Sequence, residues 1–328
     1  MTMLVRRVLF SLLSTPLLLA QGEVEPRSPA KKGSAALFVH ETSMAAKLEL
    51  QGREITTSER AARTLDVQVK DVDANGNFMV VVKFVRVQGR IEMAMGQGDA
   101  SFDSAGEHGV AESVLAKHLL DVVGKSFEAK VSPTGEVLEL GEGAAAIVDA
   151  SLQRAGMLQL LDESLKQMVG DLFGFLPAKR TAGGAKWNLE RVEQQGRMPT
   201  RQKLELMLTV VEPEAFEIET AGTLDLAKDV LLGDKALAGG EAAEAKRQLE
   251  STKVTNGKVT GKQRTSRTDG FVVQSSRTLV FDMLTTQSQM GEVTTHMEAA
   301  TKVARTTAEA AMPKATAPAG GKAPADKK

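Results

Sequence analysis

The sequence predicts an α+β fold in which a large curved antiparallel sheet is covered by a few helices. Three observations carry this expectation. Segments such as 64–70 and 203–210 alternate apolar and polar residues, the period of two that sets one strand face on a core and the other in water. Turn dipeptides punctuate the strand-like runs, as antiparallel neighbours need. Between the two strand-rich halves lies one apolar stripe at helical spacing, and the only large surface it can cover is the sheet.

In chain order, residues 1–20 carry Arg6 and Arg7 ahead of an apolar run from Val8 to Ala20, the layout of a secretory signal peptide. That run is about 13 residues, short of the roughly 20 that a membrane-spanning helix needs, so no transmembrane anchor is expected. Residues 21–35 are rich in Pro, Lys, Gly and Ala and read as a flexible linker, because so few apolar side chains cannot offset the entropy of ordering. A single β-rich domain is expected over 36–308. Leu65, Val67 and Val69 alternate with Asp66, Gln68 and Lys70 in its first strands, whereas Phe78–Val85 is apolar at nearly every position, which predicts a central strand covered on both faces.

A helical segment is predicted over about 110–176, interrupted by a hairpin at "FEAKVSPTGEVLEL" with Pro133 and Gly135 in its turn. In its second part Leu158, Leu161, Leu165, Met168, Val169, Leu172 and Phe173 fall at steps of three and four, and Pro177 closes the pattern. Strands resume with Leu204, Leu206, Leu208 and Val210. Residues 228–250 read as an insertion, and a last strand block runs to about Arg305, with Asp269-Gly270 expected to make a type I′ hairpin turn. Residues 309–328, Ala-, Pro- and Lys-rich, read as a disordered tail.

Composition narrows the function classes. Without residues 1–20 the chain has 39 basic against 42 acidic residues, so no nucleic-acid partner is expected. It contains no cysteine, which excludes disulfides and thiolate metal sites. One Trp and no Tyr argue against a sugar cleft, which leans on both.

The motifs weigh towards structural roles. "DVDANG" opens like a calcium loop, with Asp71, Asp73 and Asn75 as ligands at positions one, three and five, but position twelve, where a bidentate glutamate belongs, is Val82. The preferred reading is a hairpin through Asn75-Gly76; a weak calcium site on Asp71, Asp73 and Asn75 is the alternative. Gly141-x-Gly143-x-x-Ala146 lacks a Rossmann context and reads as the turn into a helix. "HETSM" at His40 fails as a zinc signature at Met44, and His108, His118 and His296 form no metal spacing. Glu217 and Glu219, like Lys258, Lys262 and Arg264, read as solvated strand faces. No catalytic, cofactor or metal residues are therefore expected, and the chain is read as non-enzymatic.

The segments "LDVQVKDVDANGNFMVVVKFVRV", "LLDVVGKSFEAKVSPTGEVLEL", "LFGFLPAKRTAGGAKW" and "TGKQRTSRTDGFVVQSSRTLVFDM", in this order and spacing, resemble DUF6263, a family of exported bacterial proteins of unknown function. The resemblance implies a β-rich envelope protein with "DANGN" as a hairpin, and it brings no catalytic residues. Two functions are carried forward. The first is an exported periplasmic or extracellular protein that binds a lipid or another apolar ligand or an envelope component, in the space between helices and sheet. The alternative is a structural or assembly factor that binds an envelope protein through a sheet edge or its tails.

Overall fold

The computed structural model describes residues 23–25, 28–50, 53–92, 100–105, 120–152, 162–177, 179–195, 198–228, 250–287 and 291–307. The predicted signal peptide, most of the 228–250 insertion, the 309–328 tail, His108, His118, Leu158 and Leu161 lie outside the described residues.

The strands in chain order are β1 (Glu23–Val24), β2 (Ala35–Leu50), β3 (Arg53–Val72), β4 (Phe78–Glu92), β5 (Ala100–Asp103), β6 (Ser126–Val131) and β7 (Val137–Leu140). After helices α1 (Ala144–Leu152) and α2 (Asp162–Phe173) come β8 (Thr181–Ala182), β9 (Lys186–Gln195), β10 (Met198–Val211) and β11 (Ala215–Leu226). The last three are β12 (Thr252–Ser266), β13 (Val272–Gln287) and β14 (Gly291–Thr306). Twelve of these strands form one antiparallel sheet in the order β7-β6-β4-β3-β2-β14-β13-β12-β11-β10-β9, with β5 also on β4. The first and last strands of this sheet in chain order, β2 and β14, pair in the middle, from Leu37 with Thr306 to Glu49 with Thr294.

The sheet does not close into a barrel, since β7 and β9 are its two ends. It is nevertheless curled. Ten strand-to-strand steps separate β7 from β9, roughly 48 Å along a flat sheet at about 4.8 Å per step. Yet α2, twelve residues and so about 18 Å long, packs against both of them and against β13 in between. The expected curved sheet with a helix on its concave face is therefore present, although among the described residues only two helices cover it.

Burial shows which face is inside. Phe78, Val80, Val82 and Phe84 of β4 are buried while Lys83 and Val85 are exposed, so the run is covered on one face rather than on both as predicted; the helices lie on the concave side only. Leu165, Met168, Val169, Leu172 and Phe173 of the predicted stripe are buried, packing with β3, β4 and β6 in one apolar core. Phe173 stacks on Phe78 and on Phe271, at ring-centroid distances of 4.8 and 5.1 Å. A second core lies on the same face of β9–β14, with Leu204, Leu206, Leu208, Ile218, Leu279 and Phe281.

The expected hairpin through Asn75-Gly76 joins β3 and β4, and the turn at Asp269-Gly270 differs in type from the expectation. Around Asn75-Gly76, Asp73 and Asn77 close a three-residue loop in which only Gly76 has positive φ, at 80°. A type I′ turn needs two such residues. The Asp73 carboxylate fixes this loop: it accepts from the backbone amides of Asn75 and Asn77 and from the Asn77 side chain, each at 2.9 Å. At Asp269-Gly270 likewise only Gly270 is left-handed, in a four-residue loop closed between Ser266 and Phe271. Helix α2 ends at Phe173, four residues before Pro177. Gly174 caps it at φ 73°, and the space beside its carbonyl is so tight that a Cβ on Gly135, in the β6–β7 turn, would stand 2.1 Å from that oxygen.

Residues 28–34 are not a free linker. The Ser28 amide donates to Pro133 O, the Gly33 amide to Val69 O, and Ala30 is buried in the first core. Upstream, Val24 of β1 is buried in the second core, opposite β8. The composition of this segment is poor in apolar residues, but those it has enter cores built by the rest of the chain. Truncating the aromatic at the centre of the helix–sheet contact tests its weight: Phe173→Ala is expected to cost about 3–5 kcal/mol, read from denaturant unfolding, and a loss under about 1 kcal/mol would show that α2 does not hold the curl.

Candidate functional site

The side chains of α2 divide by spacing. Residues 165, 168, 169, 172 and 173 enter the first core, while Glu163, Lys166, Gln167 and Gly170, again at steps of three and four, line one wall of a cleft. The opposite wall is the inward row of the edge strand β9, Trp187, Leu189, Arg191 and Glu193, and the cleft also touches Val137, Phe175 and Leu176. Its volume is about 540 Å³, within the range of roughly 300–1,000 Å³ common for small-molecule sites. A Cβ built at Gly170 meets nothing within 4 Å, so the helix wall is open there. The Arg191 guanidinium lies 4.3 Å from the Phe175 ring centroid, a cation–π contact that flattens both groups against the cleft floor.

Beneath the cleft the inner face turns charged. Arg277 Nη1 of β13 donates to Glu193 Oε1 at 3.1 Å and lies 3.4 Å from Asp171 Oδ1 of α2. The same Glu193 accepts from Arg191 Nη2 at 2.6 Å and from Gln202 Nε2 at 2.7 Å. Asp171 Oδ2 is 3.4 Å from His40 Nε2 of β2. On the neighbouring strand Arg63 donates to Thr42 Oγ1 at 3.1 Å, with Glu59 on the same face of β3. His40, Glu59, Arg63, Asp171, Glu193 and Arg277 are all buried. β9 and β13 are four strands apart, about 19 Å on a flat sheet, so the Glu193–Arg277 pair exists only because the sheet is curled.

Burial raises the carboxyl of Glu193 to about 7; Arg191 opposes the rise, the Asp171 charge adds to it and Gln202 opposes it again. Burial likewise raises Glu59 to about 7 against the pull of Arg63, and lowers Arg63 to about 10. Charged groups are removed from water here at substantial cost, and only the donors around them offset it.

Residues 75–272, more than half of the chain, match the profile of a family of unknown function, DUF6263. The chain belongs to this family. The match takes in the cleft, with α2, β9 and Arg277's neighbour strand β12, but ends before Arg277 itself and excludes His40 and Arg63. No curated protein matches the DUF6263 chain by sequence. Among solved structures it is similar to lipovitellin, in a study of lipid–protein interactions, with a TM-score of 0.42, 9% identity and coverage of 84% of this chain and 25% of that one. The DUF6263 chain thus spans a quarter of lipovitellin's length. It is also similar to an outer membrane channel from Pseudomonas putida F1, with a TM-score of 0.22, 7% identity and coverage of 85% and 98%. A third likeness is to a DUF1329 family protein from Desulfovibrio piger ATCC 29098, with a TM-score of 0.13, 8% identity and coverage of 80% and 83%.

The residues weighed in the sequence fall elsewhere in the DUF6263 fold. Asp71 pairs with Lys32 at 3.4 Å, and Asp73 is held below the usual carboxylate range, first by the Asn77 side chain, with its oxygens spent on the turn. Val82 is buried in β4. Glu217 pairs with Lys262 at 2.7 Å and Arg264 at 3.1 Å across β11 and β12, on the outer face. Gly143, at φ 87°, makes the turn into α1. Sequence reasoning missed Trp187, Arg191, Glu193 and Arg277; the readable signal was the inward period-two row of β9, in which Trp187 and Leu189 are followed by two charges.

Two measurements check this geometry. Glu59 and Glu193 are raised from 4.5 to about 7, so the stability tied to their neutral forms is fully present below about 4.5 and lost as pH rises through about 7. Unfolding free energy should therefore fall between pH 5 and 7.5, by at most about 3 kcal/mol per group, and Glu193→Gln should flatten part of that slope; an unchanged slope would remove Glu193 from the account. Calcium at millimolar concentration should leave the melting temperature unmoved, because Asp73 is already occupied by donors; a clear rise would restore the calcium reading.

Proposed function

We propose that this chain is an exported, non-enzymatic binding protein that holds the apolar part of a small amphipathic molecule in the cleft between α2 and β9. One observation carries the reading: Leu165, Val169, Leu172 and Phe173 of α2 enter the first core, and the space left between α2 and β9 has an apolar floor of Trp187, Leu189, Phe175 and Leu176. A mostly apolar concavity with a few polar groups at its edge is the general form of a small-molecule site. Here Lys166, Gln167 and Arg191 supply the polar groups. Export rests on the sequence of residues 1–20 alone. The non-enzymatic reading rests on the buried ionisable groups: among the described residues, Arg191, Glu193, Asp171 and Arg277 beside the cleft are engaged with one another.

The second reading, a factor that binds an envelope protein through a sheet edge, draws on β9, whose ten residues pair with β10 on one side and form an end of the sheet on the other. Such an edge accepts an added strand. The cleft is preferred because it offers enclosed apolar surface.

Trp187 is the only tryptophan of the chain, so intrinsic fluorescence reports on the cleft directly. Titration with decanoate as the probe should shift and saturate this emission, and Gly170→Trp, read by probe displacement, should weaken binding at least tenfold by filling the open helix wall. Gly170→Ala should stabilise the fold by about 0.5–1 kcal/mol. Saturable binding that Gly170→Trp leaves untouched would place the ligand elsewhere, and no emission change with decanoate or with lipids extracted alongside the native protein would sink the cleft reading.

A further inference from the structure

Arg277 uses its guanidinium one-sidedly. Nη1 alone meets both acids, Glu193 and Asp171, while Nε and Nη2 are buried and have no partner among the described residues. Nε and Nη2 are the two parallel donors of the fork that Arg presents to a carboxylate. His40 shows the same asymmetry: Nε2 faces Asp171 and Nδ1 is buried with no partner among the described residues. Both residues are more than nine-tenths buried, at 8% and 4% exposure, and both lean on the two oxygens of the same Asp171. Each buried donor left unmade costs free energy of about 1–3 kcal/mol, so the two unpartnered donors of the Arg277 fork call for a guest, whereas His40, with Nε2–H on Asp171, offers an acceptor at Nδ1 and serves to hold that carboxylate.

We propose that the Arg277 fork, Nε and Nη2, is the seat of a small monovalent anion, a carboxylate or a halide, in the interior between α2, β2 and β13. The charges facing this place are the guanidiniums of Arg277 on β13, Arg191 on β9 and Arg63 on β3, and the carboxyls of Asp171 on α2, Glu193 on β9 and Glu59 on β3; His40 comes from β2 and the neutral Gln202 from β10. Fully ionised, the three acids match the three arginines. Two of the acids, Glu59 and Glu193, are raised by burial to about 7, so near neutrality the arginines are in excess and a guest anion restores the balance. Anion uptake is therefore accompanied by proton uptake and tightens as pH falls from 8 to 6.

The competing guest is water, which also satisfies buried donors when it has two to four polar partners. Melting temperature in sodium formate, sodium chloride and sodium gluconate at equal ionic strength separates them, gluconate being too large for the interior. Formate or chloride should raise the melting temperature saturably, by roughly 5 °C at about 100 times its dissociation constant, and more at pH 6 than at pH 8. Formate alone assigns a carboxylate site and chloride alone a halide site. Arg277→Lys, which keeps the charge and loses the fork, should abolish the difference between salts. Should that variant not fold, bromide diffused into crystals of the unaltered protein gives the second measure: an anomalous peak within about 3.5 Å of Nε and Nη2 supports the site. Melting curves that coincide in all three salts, with no bromide peak, would overturn it and leave water as the guest.

Discussion

The structure depends on one contact: α2 lies against both ends of a sheet that, among the described residues, has no hydrogen bonds to close it. A closed barrel removes its edges by pairing them. Here the edges β7 and β9 are instead held by a helix wedged between them, with Phe173 between Phe78 of β4 and Phe271 beside β13. The two glycines at the end of α2 follow from that wedge. Gly174 turns the chain out of the helix, and Gly135 has to lack a side chain because the β6–β7 turn rests directly on the Gly174 carbonyl. The chain segment 28–34 then crosses this end of the sheet, joining Val69 of β3 to Pro133 in the same turn.

The curl has an energetic consequence for the charged layer. Arg277 and Glu193 meet across the concavity, not along a strand pair, and the ion pair sits between two apolar cores. A hydrophobic pair of similar volume at these positions is often as stable or more so. What charge adds is direction: Glu193 accepts from three donors on three strands, so the cluster tolerates only one placement of the edge strand over the centre. An apolar row alone leaves a slip of two residues on the same face, because the side-chain period is two. The cluster thus adds side-chain registration to the backbone pairing with β10, for an edge strand that is paired on one side.

Local pattern in the sequence reached as far as local causes go. The stripe from Leu165 to Phe173 and the alternation of Leu65–Val69 and Leu204–Leu208 were readable because burial on one face imposes their period. The positions of the Asn75-Gly76 and Asp269-Gly270 turns were readable too, but the type of the second was not, since side chains reaching back over the loop amides, as Ser266 and Asp269 do, decide the backbone. Residues 28–34 were misjudged because composition counts a segment's own apolar atoms and not the cores it joins. The site was the least legible part. His40 and Asp171 are 131 positions apart, and Glu193 and Arg277 are 84, so their partnership follows from the curl, which no short window contains.

Cleft and charged layer share a wall, and this couples them. Arg191 and Glu193 belong to both: they line the cleft on one side and bond Gln202 and Arg277 on the other. An apolar molecule seated on Trp187 and Leu189 displaces water from beside these two groups, which raises the cost of an ionised Glu193 further and favours its neutral form. By linkage the relation is reciprocal, so protonation of Glu193 and occupation of the cleft assist each other. The coupling needs no movement of the sheet. It follows from one carboxyl group placed where the solvent-facing and the buried sides of β9 are a single side chain apart.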